Sequence, residues 1–110
     1  MLYYINYSCG CGDNEEIISV KQKEDAVNYA YMHAIREYNS YEGSYGIRSF
    51  ADILEEEFSI SIEDEEAEDY ELAQEIYSEE VENTISYSVE EYDEEKHGWL
   101  LEEQETAYEI

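Results

Sequence analysis

The sequence predicts an α+β fold: a small, mostly antiparallel sheet with about three helices packed on one face. Three observations predict it. Short Tyr- and Ile-rich runs alternate like strands, and longer stretches repeat apolar residues at three- and four-residue spacing like helices. There is no proline and there are only 5 Gly, so no long spacer divides the chain. A length of 110 residues suits one domain, spanning 1–110.

Taken in order, Leu2–Ser8 is uncharged and rich in Tyr and Ile, as a buried strand is. Cys9-Gly-Cys-Gly-Asp-Asn14 is a turn signal. Glu16–Val20 suits a second strand, so the two form a hairpin. Residues 24–42 read as a helix with Ala26, Val27, Ala30, Tyr31, Ala34, Ile35, Tyr38 and Tyr41 on one face, stopped at Gly43. Ser49 is a good N-cap for a short helix, Phe50–Glu57, with Asp52 in its first turn. Phe58–Ile62 alternates apolar residues with serine, as a short strand or extended link does. Residues 64–82 read as a third helix with a stripe of Ala67, Tyr70, Ala73, Tyr77 and Val81, and Ile76 beside it. Thr84–Tyr92 alternates Ile85, Tyr87 and Val89 with Ser86, Ser88 and Glu90, as a half-buried strand does. Asp93–Gly98 reads as a polar turn, and Trp99–Ile110 favours a returning strand over a helix.

Charge sets the functional question. The chain has 31 Asp plus Glu against 5 Lys plus Arg, a formal net charge of -26. Solubility alone asks for a net charge of only about 2–8 in magnitude, and self-repulsion on this scale opposes compaction. A hydrophobic content of 43% with 13 Tyr nevertheless argues for a folded core rather than disorder. Residues 1–48 hold 7 acidic and 4 basic residues, and residues 49–110 hold 24 and 1. The first half therefore reads as scaffold and the second as functional surface.

On the third predicted helix Glu68, Glu71, Glu75, Glu79 and Glu82 follow three- and four-residue spacing with no Lys partner. Neighbours so spaced lie about 5–6 Å apart and repel by a few tenths of a kcal/mol per pair. One such stripe by itself reads first as a solvated face. Further clusters at Glu55–Glu57, Glu63–Glu66, Glu90–Glu95 and Glu102–Glu105 repeat the pattern. Repulsion retained that often points to a partner of opposite sign, gained through electrostatic steering. Glu90, Glu91, Asp93, Glu94 and Glu95 extend the field, and Tyr70, Tyr87, Tyr92 or Tyr108 are candidate aromatic anchors among the carboxylates.

Other classes are disfavoured. Carboxylate pairs are too abundant to mark acid–base chemistry, so no enzyme is expected. Cys9-Gly-Cys11 with His33 or His97 lacks the spacing of a zinc site, and Asp64–Asp69 lacks the glycine and ligand spacing of a calcium loop; no metal or cofactor is expected. Gly43-Ser-Tyr-Gly46 matches no phosphate-binding loop. Five basic residues cannot make the phosphate contacts of a nucleic-acid binder. No apolar run approaches the ~20 residues of a membrane span, and Met1–Ser8 lacks the basic region of a signal peptide, so a cytoplasmic protein is expected.

By its size, its charge, its tyrosine-rich acidic segments such as Tyr70-Glu-Leu-Ala-Gln-Glu-Ile-Tyr77 and its lack of catalytic motifs, the chain resembles the small acidic DNA-mimic proteins of phages and mobile elements. These inhibit restriction enzymes, CRISPR effectors or other DNA-binding proteins. The resemblance implies steric occupation of a nucleic-acid-binding cleft, without chemistry, with a basic nucleic-acid-binding protein as partner. Two copies pairing to extend the surface would be compatible with it. The alternative is an acidic adaptor or chaperone-like module for basic proteins.

Overall fold

The structure, a computed structural model, describes residues 1–61, 63 and 68–110. It is an α+β fold. Strand β1 (Leu2–Ser8) pairs antiparallel with β2 (Asp13–Ser19) and with β3 (Ser86–Glu91). The two-residue β4 (Tyr108–Glu109) lies parallel to β2, giving the sheet order β3-β1-β2-β4. The β1–β2 turn needs Gly10, whose φ of +89° an L side chain rarely adopts.

Alternation along β1 separates two faces. Tyr3, Ile5 and Tyr7 are buried against α1 (Lys23–Ser40). This helix turns Ala26, Ala30 and Ala34 inward at four-residue spacing, and these small side chains let it approach the sheet before Tyr38 fills the end of the layer. Ile18, Ile85 and the half-buried Val89 join this core. Tyr87, expected on the same face, is 42% exposed and packs edge-on against Tyr31.

After α1 the chain builds a second, smaller core. Ser49 and Asp52 form a reciprocal capping box, Ser49 Oγ accepting from Asp52 N at 3.1 Å, and start α2 (Phe50–Ile53). The expected helix over 50–57 widens into a π turn, Leu54–Phe58, and ends at Ser59 in the left-handed region. No strand follows at 58–61. Ile53, Leu54 and Ala73 are buried together, flanked by Phe50, Phe58, Ile60, Tyr70 and Ile76. Helix α3 (Tyr70–Thr84) supplies Ala73 and Ile76. The expected start at 64, with Ala67 in the stripe, lies outside the described residues, as does Ile62.

The polar turn and returning strand predicted for Asp93–Gly98 and Trp99–Ile110 are instead a fourth helix, α4 (Glu94–Gln104), followed by β4. Asp93 caps it, its Oδ1 accepting from Glu95 N at 3.0 Å. His97, Leu100, Leu101 and Gln104 recur at helical spacing and turn the helix onto the sheet face opposite α1. There His97 stacks on Tyr4 with ring centroids 4.3 Å apart. Gln104 borrows the role of a strand: its Oε1 accepts from Ile17 N at 2.9 Å and its Nε2 donates to Ile17 O at 2.7 Å. No helix among the described residues is long and apolar enough to cross a membrane.

Candidate acidic interaction surface

Helix α3 presents its outer face to solvent. Glu71, Glu75, Glu79 and Glu82 are all exposed, and they line one side of the helix at spacings of four, four and three. Glu71 and Glu82 are about 16 Å apart along the axis, from a rise of ~1.5 Å per residue. The stripe thus carries about one charge per 5–6 Å, against one per ~3.4 Å along a B-DNA strand. Glu68 is exposed in the turn before the helix. The Glu63–Glu66 cluster, apart from the exposed Glu63, lies outside the described residues.

Glu90, Glu91, Asp93, Glu94 and Glu95 are also exposed, at the end of β3 and the start of α4. Part of this cluster has a local role. Acidic groups in a first helical turn complement the helix dipole, and Asp93 is the cap itself. Glu90 Oε2 lies 3.4 Å from His97 Nε2. His97 Nδ1 accepts from Asp93 N at 3.0 Å, which puts the ring proton on Nε2, facing Glu90. Helix α3 packs on α2 and the π turn, whereas α4 packs on the far side of the sheet. The two acidic clusters predicted as one field are therefore separate patches.

The carboxylates are held by an unusual set of donors. Among the described residues, Arg48 is the one Lys or Arg in an ion pair: its guanidinium spans Glu56 at 3.1 Å, Glu57 at 3.0 Å and Glu80 at 2.7 Å. Five tyrosine hydroxyls hold four further glutamates. Tyr4 donates to Glu15 at 2.5 Å. Tyr7 and Tyr29 donate to the two oxygens of the half-buried Glu16, Tyr29 at 2.9 Å. Tyr31 donates to Glu82 at 2.7 Å, and Tyr77 to Glu42. A phenol orients a carboxylate without cancelling its charge. A hydrogen bond contributes about 0.5–1.5 kcal/mol net, of the same order as the ~0–1 of an exposed salt bridge. Tyrosine thus steadies these glutamates while the field stays negative. In return, Tyr4 is pushed up to about 12 by burial and by its bond to Glu15. Tyr7, Tyr29 and Tyr77 are raised further, by burial first and their glutamates second. In Tyr31 the hydrogen bond to Glu82 is the leading cause of the rise.

The aromatic candidates divide. Tyr70 is half-buried, edge-on to Phe50 with centroids 5.1 Å apart. Tyr87 is at the surface of edge strand β3, and Tyr92 is half-buried beside His97. Tyr108 is 45% exposed, on β4. Sequence reasoning missed Trp99, 51% exposed on α4; its helical position, not its type, makes it prominent. Cys9 and Cys11 are free thiols, and Cys9 is buried on the α1 side of the sheet. His33 sits on that side, its Nδ1 2.9 Å from Tyr29 O, while His97 lies on the other. Among the described residues no three potential metal ligands converge. Comparison with family models, curated proteins and solved structures finds no match for the chain.

Proposed function

We propose that this protein is a non-enzymatic inhibitor that mimics nucleic acid and occupies the DNA- or RNA-binding cleft of a basic host-defence nuclease, a CRISPR effector or a restriction enzyme. One observation carries the reading: Glu71, Glu75 and Glu79 stand exposed in a row on one side of a regular helix, and among the described residues no Lys or Arg pairs with them, so the stripe is ordered by its helix and stays anionic. Glu68, Glu71, Glu75, Glu79 and Glu82 stand in for phosphates of one strand, and Glu90, Glu91, Asp93, Glu94 and Glu95 form a second contact patch. The α3 stripe spans about 16 Å, the rise of about five base pairs at ~3.4 Å each. The test is competition. Purified nucleases of both kinds are loaded with labelled DNA or guide RNA and titrated with this protein. Stoichiometric displacement, weakening steeply with salt, supports the reading. Binding that leaves the nuclease's nucleic acid in place contradicts it and favours an acidic adaptor.

A further inference from the structure

The exposed indole of Trp99 does not stand alone. It lines a shallow groove of about 500 Å³ on α4 together with Tyr92, Gly98, Leu101 and the carboxylates of Glu94, Glu102 and Glu105. The indole is fixed: its Nε1 donates to Lys96 O at 2.9 Å, so the ring cannot turn that edge to a ligand and offers a face instead. Lys96, the helix's own cation, does not line the groove. The groove ends at Glu105, whose φ of +74° is strained for a residue with a side chain.

An aromatic face beside carboxylates suits a flat cation on an apolar stem. A guanidinium stacks on indole and takes carboxylate oxygens at its edge, and its three methylenes pack on Leu101; an ammonium is more strongly hydrated and stacks less well. An apolar ligand would leave the glutamates unpaired, and an anion would be repelled.

We propose that this groove is a receptor site for one arginine side chain of the basic partner. Trp99 is the stacking platform, and Glu94 and Glu102 are the charge clamp. The site rests on the reading of a basic partner, yet its test uses no nuclease, so either can fail alone. Trp99 is the single tryptophan of the chain, which makes its emission a local reporter. The intact protein is titrated with capped arginine amide and with capped citrulline amide, its neutral near-isostere. The proposal expects a saturable shift of Trp99 emission with arginine and none with citrulline. Glu94→Gln with Glu102→Gln should weaken arginine binding at least threefold, while Glu24→Gln with Asp25→Asn, which removes the same charge from exposed positions on α1, leaves it unchanged. No saturable shift with arginine, an equal shift with citrulline, or an equal loss from the α1 variant would overturn it.

Discussion

Tyr77 shows at one residue how the molecule tolerates its charge. Its ring packs edge-on against Tyr38 and Phe50, and its hydroxyl donates to Glu42, with Asn39 Oδ1 3.1 Å away. Tyr77→Phe keeps the packing and removes the donor; it should cost about 1–2 kcal/mol in urea unfolding. A cost near zero would mean that the phenols are spectators. The same bonds set a pH dependence. In the unfolded chain a phenol loses its proton near pH 10. In the fold Tyr4 holds it to about 12, and Tyr7, Tyr29 and Tyr77 hold it longer. Between these values the unfolded state binds fewer protons, so stability is complete below pH ~10 and falls as pH rises above it. An absorbance titration should show tyrosine ionisation held back well above pH 10 and completed together with loss of circular dichroism. One class near pH 10 with the fold intact would contradict this. None of these pairs was legible in the sequence. Tyr31 and Glu82, or Tyr77 and Glu42, lie on elements far apart in the chain, and only the packing of α3 beside α1 brings them together.

Among the elements, those with a strong internal period were legible. β1, α1 and the Ser49 cap stand where alternation, alanine spacing and capping chemistry put them, while β2 starts at Asp13, ahead of the expected Glu16, and takes in Asp13 and Asn14 of the expected turn. α4 was not legible, because Gly98 and the acidic run before it resemble a turn, and Gly costs a helix interior about 1 kcal/mol. The helix forms because Asp93 caps it and because its inner face finds Tyr4 and Ile17, tertiary contacts that override propensity. Gln104 is the residue that docks it. Gln104→Leu leaves the N–H and C=O of the buried Ile17 without their partner, and should cost about 1–3 kcal/mol. Hydrogen exchange at Ile17 should accelerate with it; an unchanged amide would show that the clamp is dispensable. The lobe formed by α2, the π turn and α3 hangs on Arg48 in a comparable way. Arg48→Ala should raise exchange across α2 and α3 while β1 stays protected. Arg48→Lys should rescue it only in part, since one ammonium cannot span three carboxylates as the planar fork does. Equal rescue by lysine would mean that charge alone holds the lobe.

At the scale of the whole molecule, two cores replace one. The radius of gyration is 17.5 Å, against about 13 Å for a compact domain of this length. Elongation to a long axis of 52 Å spreads the charge and lessens its self-repulsion. The sequence showed how much charge there is and that most of it follows Arg48. It did not show the separation into an α3 patch and a β3–α4 patch, because that follows from the sheet face that α4 chooses. Salt should therefore stabilise the protein by screening: the thermal midpoint should rise steadily between low and physiological ionic strength. A falling midpoint would mean that attraction, not repulsion, dominates the surface. The central claim is that the carboxylates of α3 are a recognition surface and not merely a solvated face. Its most direct measurement is the dissociation constant of a displaced nuclease for the intact protein and for the Glu71→Gln, Glu75→Gln, Glu79→Gln variant, over a series of salt concentrations. The account predicts at least tenfold weaker binding by the variant at low salt, about 1.4 kcal/mol, and a shallower dependence on salt. Equal affinity and equal salt dependence for the two proteins would contradict it.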